Sequence, residues 1–208
     1  MSHEERLKKT KEKLLALAPI KDDSFRVLME TARILTEHMA PYVHVHARPI
    51  VVGGLSVEFY THNDYTTRDL DIVTSSSMRL RQDLNAMGFN TDERVFILDE
   101  LELVVDIVDS TLEGDYNLIT EIPMQNEDGN DVIVSMISLE DIIIDRLDAS
   151  EHEDPRYWGY NMFVRYHDKL DLDYIERQVK TKFFKTQQMF TTWKEQYEKL
   201  LNKLEEEK

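Results

Sequence analysis

At 208 residues and 41% hydrophobic, the chain can build one large domain or a core with an appended helical part. Its net charge of -16 argues against non-specific adhesion to nucleic acid, an affinity that comes mainly from neutralised phosphates. With no cysteine there are no disulfides or thiolate metal sites; runs such as Ile142-Ile143-Ile144 are too short for a bilayer, and MSHEERLKKTKEK lacks a signal-peptide core, so a cytoplasmic protein without membrane contact is expected.

Residues 1–18 scatter Leu7, Leu14, Leu15 and Leu17 among charges, which suits an amphipathic helix interrupted by Pro19. A second helix is expected from about Asp23 to Met39, with Asp22, Asp23 or Ser24 as N-cap. Phe25, Leu28, Ala32, Leu35 and Met39 would form its buried side. In YVHVHARPIVVGG, His44 and His46 would share a strand face, a weak metal signal without a third ligand. Ile50 to Val52 reads as a short buried strand, then a turn at Gly53-Gly54 and a short helix.

TTRDLDIV follows as a strand, and SSSMRLRQDLNAMGF as a helix stopped by Gly88. ERVFILDELELVVDIVD reads as two strands joined at Asp99-Glu100. NLITEIPMQ and DVIVSMI read as a hairpin about Glu127-Asp128-Gly129-Asn130. From Ser138 onward the pattern is helical: LEDIIIDRLDA, then a helix begun by Pro155, then one long helix from about Leu172 to Leu204. Ile175, Val179, Phe183, Phe190, Trp193, Tyr197, Leu200 and Leu204 would stripe that last helix, to pack on the core or on another chain. The acid-free stretch with Arg177, Lys180, Lys182 and Lys185 reads as a solvated helix face.

The chemistry concentrates at residues 51–73. In an extended strand, Asp69 and Asp71 share one face while Leu70 and Ile72 enter the core. Two carboxylates side by side repel unless a cation or solvent compensates, and with a further acid they suit Mg²⁺ or Mn²⁺. Parity over LELVVDIVD sets Asp106 on the face opposite Leu103, Val105 and Ile107, and Asp109 on the other, so Asp106 is the expected third ligand. Gly53 and Gly54, before Ser56 on a helix start, would let backbone N–H groups approach an anion. Neither a Walker A loop nor a G-x-G-x-x-G fingerprint is present.

The strand, Gly53-Gly54, the helix and Asp69-Leu70-Asp71 resemble the signature of the DNA polymerase β-like nucleotidyltransferases. VVGGLSVEFY with TTRDLDIV is similar to the small bacterial AbiEii-toxin type. The resemblance spans roughly residues 48–165, specific in its first half and loose in its second. It departs from the pattern in a longer segment between Gly54 and Asp69, looped about His62-Asn63-Asp64, and in Arg146 where relatives carry a lysine.

The resemblance implies an α+β fold: a nucleotidyltransferase-like mixed sheet with flanking helices and a helical C-terminal part. The divisions would be 1–47, 48–137 and 138–208. It implies an enzyme transferring a nucleoside monophosphate from a triphosphate such as ATP to a hydroxyl of an RNA, protein or small molecule, in a toxin or phage-defence setting. Asp69, Asp71 and Asp106 would hold Mg²⁺ or Mn²⁺, and Gly53, Gly54, Ser56 and Arg146 would bind phosphates. An antitoxin, or a second copy docked through the C-terminal helix, would be the protein partner. The alternative is a non-catalytic relative that binds nucleotide or a partner.

Overall fold

Ser2 opens the first helix with a reciprocal cap: its hydroxyl accepts from the Glu5 N–H at 3.2 Å, and its own N–H donates to the Glu5 carboxylate at 2.7 Å. The computed structural model describes residues 2–42, 48–92 and 94–206; His44 and His46 lie outside the described residues. The chain divides into two compact units, Met1–Ser138 and Leu139–Lys208.

In the first unit, helix α1 (His3–Leu15) precedes α2 (Ser24–Met39), where the Asp23 carboxylate accepts from the Arg26 N–H at 3.1 Å. Strand β1 (Ile50–Val51) runs into α3 (Gly53–Tyr60), followed by β2 (Asp69–Val73) and α4 (Ser77–Ala86). Then come β3 (Asn90–Asp92), β4 (Val95–Leu98), β5 (Leu103–Asp109), β6 (Thr120–Gln125) and β7 (Asp131–Met136). These strands form one mixed sheet in the order β3-β4-β5-β2-β1-β7-β6. Parallel pairing joins β2 to β5 and β1 to β7, and the other neighbours are antiparallel. The fold is thus α+β.

Alternation sorts the sheet into two faces. Leu70 pairs with Val105 and Ile72 with Ile107, all buried on the face that α2 and α3 help to cover. Asp69, Asp71 and Asp106 project to the other. His62 and Asn63 at the end of α3 both adopt positive φ (55° and 67°), the looped segment expected before β2. Strand β3 was not anticipated, because all three of its residues are polar and exposed and no apolar period marks them.

Helix α2 departs from the one-sided burial expected of it. Val27, Met29 and Ile34 are buried along with Leu28, Ala32, Leu35 and Met39, while Phe25 is only half-buried. Packed between α1 and the sheet, α2 has apolar neighbours on more than one side. Two titratable residues go inside with it, each partnered. Arg33 pairs with Glu30 and Glu127, both at 2.8 Å; His38 bonds Thr10 and Asp83, both at 2.9 Å.

The second unit contains α5 (Leu139–Asp148), α6 (Glu153–Tyr166), α7 (Leu172–Val179) and α8 (Phe184–Glu206). The single long helix expected from Leu172 is therefore two. A turn intervenes, in which the Thr181 N–H donates to Gln178 O and the Lys182 N–H to Val179 O. The Gln187 amide then donates to Lys180 O and Lys182 O, satisfying carbonyls that the broken helix leaves behind. Phe183 lies in this break, 84% exposed, so the stripe is interrupted there. Farther along α8, Phe190 and Trp193 pack against Phe163 of α6, whereas Leu204 is 49% exposed. Among the described residues, no helix is long and apolar enough to cross a membrane.

Candidate active site

The centre of the site is the meeting of two parallel strands at which Asp71 stands directly across from Asp106. Beside them β1 gives way to α3. The Val52 N–H donates to Asp71 O at 3.1 Å, and the Gly54 N–H donates to the Asp71 carboxylate at 3.3 Å. Glycine is required here for two reasons. Gly53 has φ +60°, and a Cβ on it would stand 1.9 Å from Asp71 Oδ2. A Cβ on Gly54 would stand 2.5 Å from the Thr67 hydroxyl, so backbone and acidic strand touch with no side chain between them.

Thr67 and Glu58 belong to the same assembly, and sequence reasoning missed both. The Thr67 hydroxyl donates to Asp69 Oδ1 at 2.6 Å, and its N–H donates to the buried Glu58 carboxylate at 3.1 Å. Burial raises the Glu58 carboxyl above its ordinary value, and the Thr67 N–H partly offsets that. A signal for Thr67 existed: two residues before Asp69, it shares the face of Asp69 in an extended chain. Nothing local marked Glu58, which sits on a helix that is almost wholly buried.

Asp106 is 8% exposed, and its Oδ2 pairs with Arg94 Nε at 3.0 Å. Its Oδ1 is buried with no hydrogen-bond partner. Burial pushes this carboxyl up, Arg94 draws it down and the charge of Asp69 raises it again. Among the described residues, no three carboxylate or imidazole groups are clustered tightly enough to hold a metal as they are placed. Each of the three aspartates instead turns to a donor of its own: Thr67, Gly54 or Arg94. Carboxylates that repel one another disperse in this way. The Asp106 oxygen without a partner leaves one acceptor open to a cation or another donor, and Asp69, Asp71 and Asp106 are the residues that would hold a divalent cation here.

One expected phosphate contact is placed otherwise. Ser56 is fully buried and its hydroxyl donates to Val51 O at 3.3 Å, so the side chain serves the helix start and faces no open space. Arg146 belongs to the second unit, where its guanidinium lies 2.7 Å from the Asp145 carboxylate. Arg94 was not anticipated, because its role depends on β4 lying beside β5.

No protein-family model matches the chain, and no curated protein matches it. The functional reading therefore stands on the residues and geometry just described.

The raised Asp106 carboxyl yields a test of this site. A folded-state value above the unfolded one means that the folded chain holds the proton more tightly. The contribution to stability is then full below the unfolded value and is lost as pH rises through the folded one. Asp106→Asn is expected to raise the melting temperature at pH 7 by roughly 2–4 °C, as relief of a functional strain does in a domain of this size. The gain should vanish below about pH 4, where both states protonate the aspartate. Calorimetry of both proteins across pH measures it.

Proposed function

We propose that this protein is a metal-dependent nucleotidyltransferase that moves a nucleoside monophosphate from a triphosphate to a hydroxyl of an RNA, protein or small molecule. The observation that carries the reading is the facing of Asp71 and Asp106 across parallel strands, with the glycine start of α3 pressed onto Asp71. A divalent cation bound by Asp69, Asp71 and Asp106 would offset phosphate charge and make the acceptor hydroxyl more acidic. The chain's own groups do the rest. Thr67 and Gly54 orient Asp69 and Asp71 by the hydrogen bonds they donate. The N-terminus of α3 supplies positive potential for the β- and γ-phosphates. Asp106 would take the acceptor's proton as the oxygen attacks the α-phosphorus and pyrophosphate leaves in line.

The Arg94–Asp106 ion pair favours a second reading, a non-catalytic relative that binds nucleotide or a partner, since Arg94 neutralises the third carboxylate. Melting temperature with Mg²⁺ or Mn²⁺ plus each nucleoside triphosphate, followed by transfer of α-labelled phosphate to cellular RNA and protein, separates the two. The transferase reading expects a ligand-dependent rise that Asp69→Ala abolishes, together with label on an acceptor. A rise without label leaves only binding; no rise in the wild type removes both nucleotide readings and leaves partner binding.

A further inference from the structure

On the face that carries the aspartates, the sheet continues from Val73 to Ile50 of β1, then to Ser135 of β7 and Glu121 of β6. A cavity of about 400 Å³ is lined by Ile50, Ser135 and Glu121 together with Arg48, Tyr116 and Asn117. Val73 is two residues beyond Asp71, so the cavity begins about 7 Å along the strand from the acidic centre. It lies away from the glycine turn, because β1 enters the turn at the Asp71 end.

Two polar groups here have no partner among the described residues. Ser135 is 7% exposed and its hydroxyl makes no hydrogen bond; the half-buried Arg48 makes no hydrogen bond or ion pair. The Ser135 oxygen is still reached by water, so it is open to a ligand in the cavity. The Tyr116 hydroxyl accepts from the Leu112 N–H at 2.9 Å, which steadies its aromatic ring at the cavity wall.

We propose that this cavity is the subsite for the nucleoside part of the donor triphosphate, an inference that rests on the transferase reading. Polyphosphate drawn to the start of α3 leaves ribose and base on the far side of the α-phosphorus, and the cavity is the space in that direction on the same face. The lining suits such a group. An aromatic ring stacks on a base, a carboxylate accepts from ribose hydroxyls, and Ser135, Asn117 and Arg48 offer hydrogen bonds to a base edge.

Inorganic tripolyphosphate separates the subsites, because it fills the phosphate site and leaves the cavity empty. Titration calorimetry with Mg²⁺ should show wild type binding at least one ribonucleoside triphosphate roughly 10-fold or more tightly than tripolyphosphate. Tyr116→Ala should erase most of that preference and leave tripolyphosphate affinity unchanged. Arg48→Gln, at a side chain with no internal partner to lose, should reduce it with the same selectivity and serves if Tyr116→Ala folds poorly. A preference that survives intact in a folded variant, or no preference in wild type, overturns the subsite. Loss of binding to both ligands in wild type instead overturns the transferase reading beneath it.

Discussion

Asp71→Asn is expected to lower nucleotidyl transfer by roughly 10³-fold, the scale of several kcal/mol of lost cation-borne stabilisation. The fold should survive, with a melting temperature near that of wild type in the absence of ligand. Asparagine keeps an oxygen to accept from the Gly54 N–H, so the contact between α3 and β2 persists and only the charge is removed. Gly53→Ala makes the complementary test, since it leaves every carboxylate in place. Its Cβ would overlap the Asp71 carboxylate and would strain a residue at φ +60°, so β2 and α3 must separate. Transfer should fall in Gly53→Ala even where its melting temperature is restored by a stabilising background. Steady-state transfer of α-labelled nucleotide, beside thermal denaturation of each variant, measures both. Full activity in Asp71→Asn would end the transferase proposal.

The largest stability effect is expected far from that chemistry, at Asp83. This carboxylate is buried, and it accepts from Arg79 Nε at 3.0 Å and bonds His38 at 2.9 Å, with His3 Nε2 at 3.4 Å. Asp83→Ala leaves His38 bonded only to Thr10 and removes the anion that Arg79 faces, which should cost about 3 kcal/mol in urea unfolding. That is the lower end for a broken buried pair, because Arg79 retains access to water. The same cluster makes stability depend on pH. Burial lowers the His38 imidazole below its ordinary value, against the opposing pull of Asp83, so the folded chain binds a proton there less readily than the unfolded chain. The contribution is therefore full above the unfolded value of 6.5 and is lost as pH falls toward the folded value. His38→Gln should flatten that part of the stability curve. An unchanged slope below pH 6.5 would show that other groups carry it.

The comparison of sequence with structure turns on range. The parity of DLDIV and LELVVDIVD is a property of extended backbone, and from it follow the common face of Asp69 and Asp71 and the place of Asp106; the exclusion of Asp109 does not follow, because an irregularity after Ile72 sets Asp109 opposite Val73. The hairpin around residues 126–130 was legible for a like reason: Gly129 takes the positive φ (78°) that its turn demands. Glu58 and Arg94 were not legible as site residues, because each acquires its role from a partner on another segment, whereas the same parity that pairs Asp69 with Asp71 also reaches Thr67. Helical spacing from Leu172 to Leu204 likewise predicted one helix. The observed break depends on the capping of the turn by Gln187, and on Thr186 and Lys182 both reaching Asp148 of α5.

By itself, then, the sequence determined most of the helices and strands and the two strands that carry the acids, because a local period records which side of an element avoids water. Only the tertiary structure decided the register that sets Asp71 against Asp106, the inward turn of Ser56 and the burial of α2 on more than one side. Register and burial are set by what packs against an element, and that information resides in pairs of segments far apart along the chain.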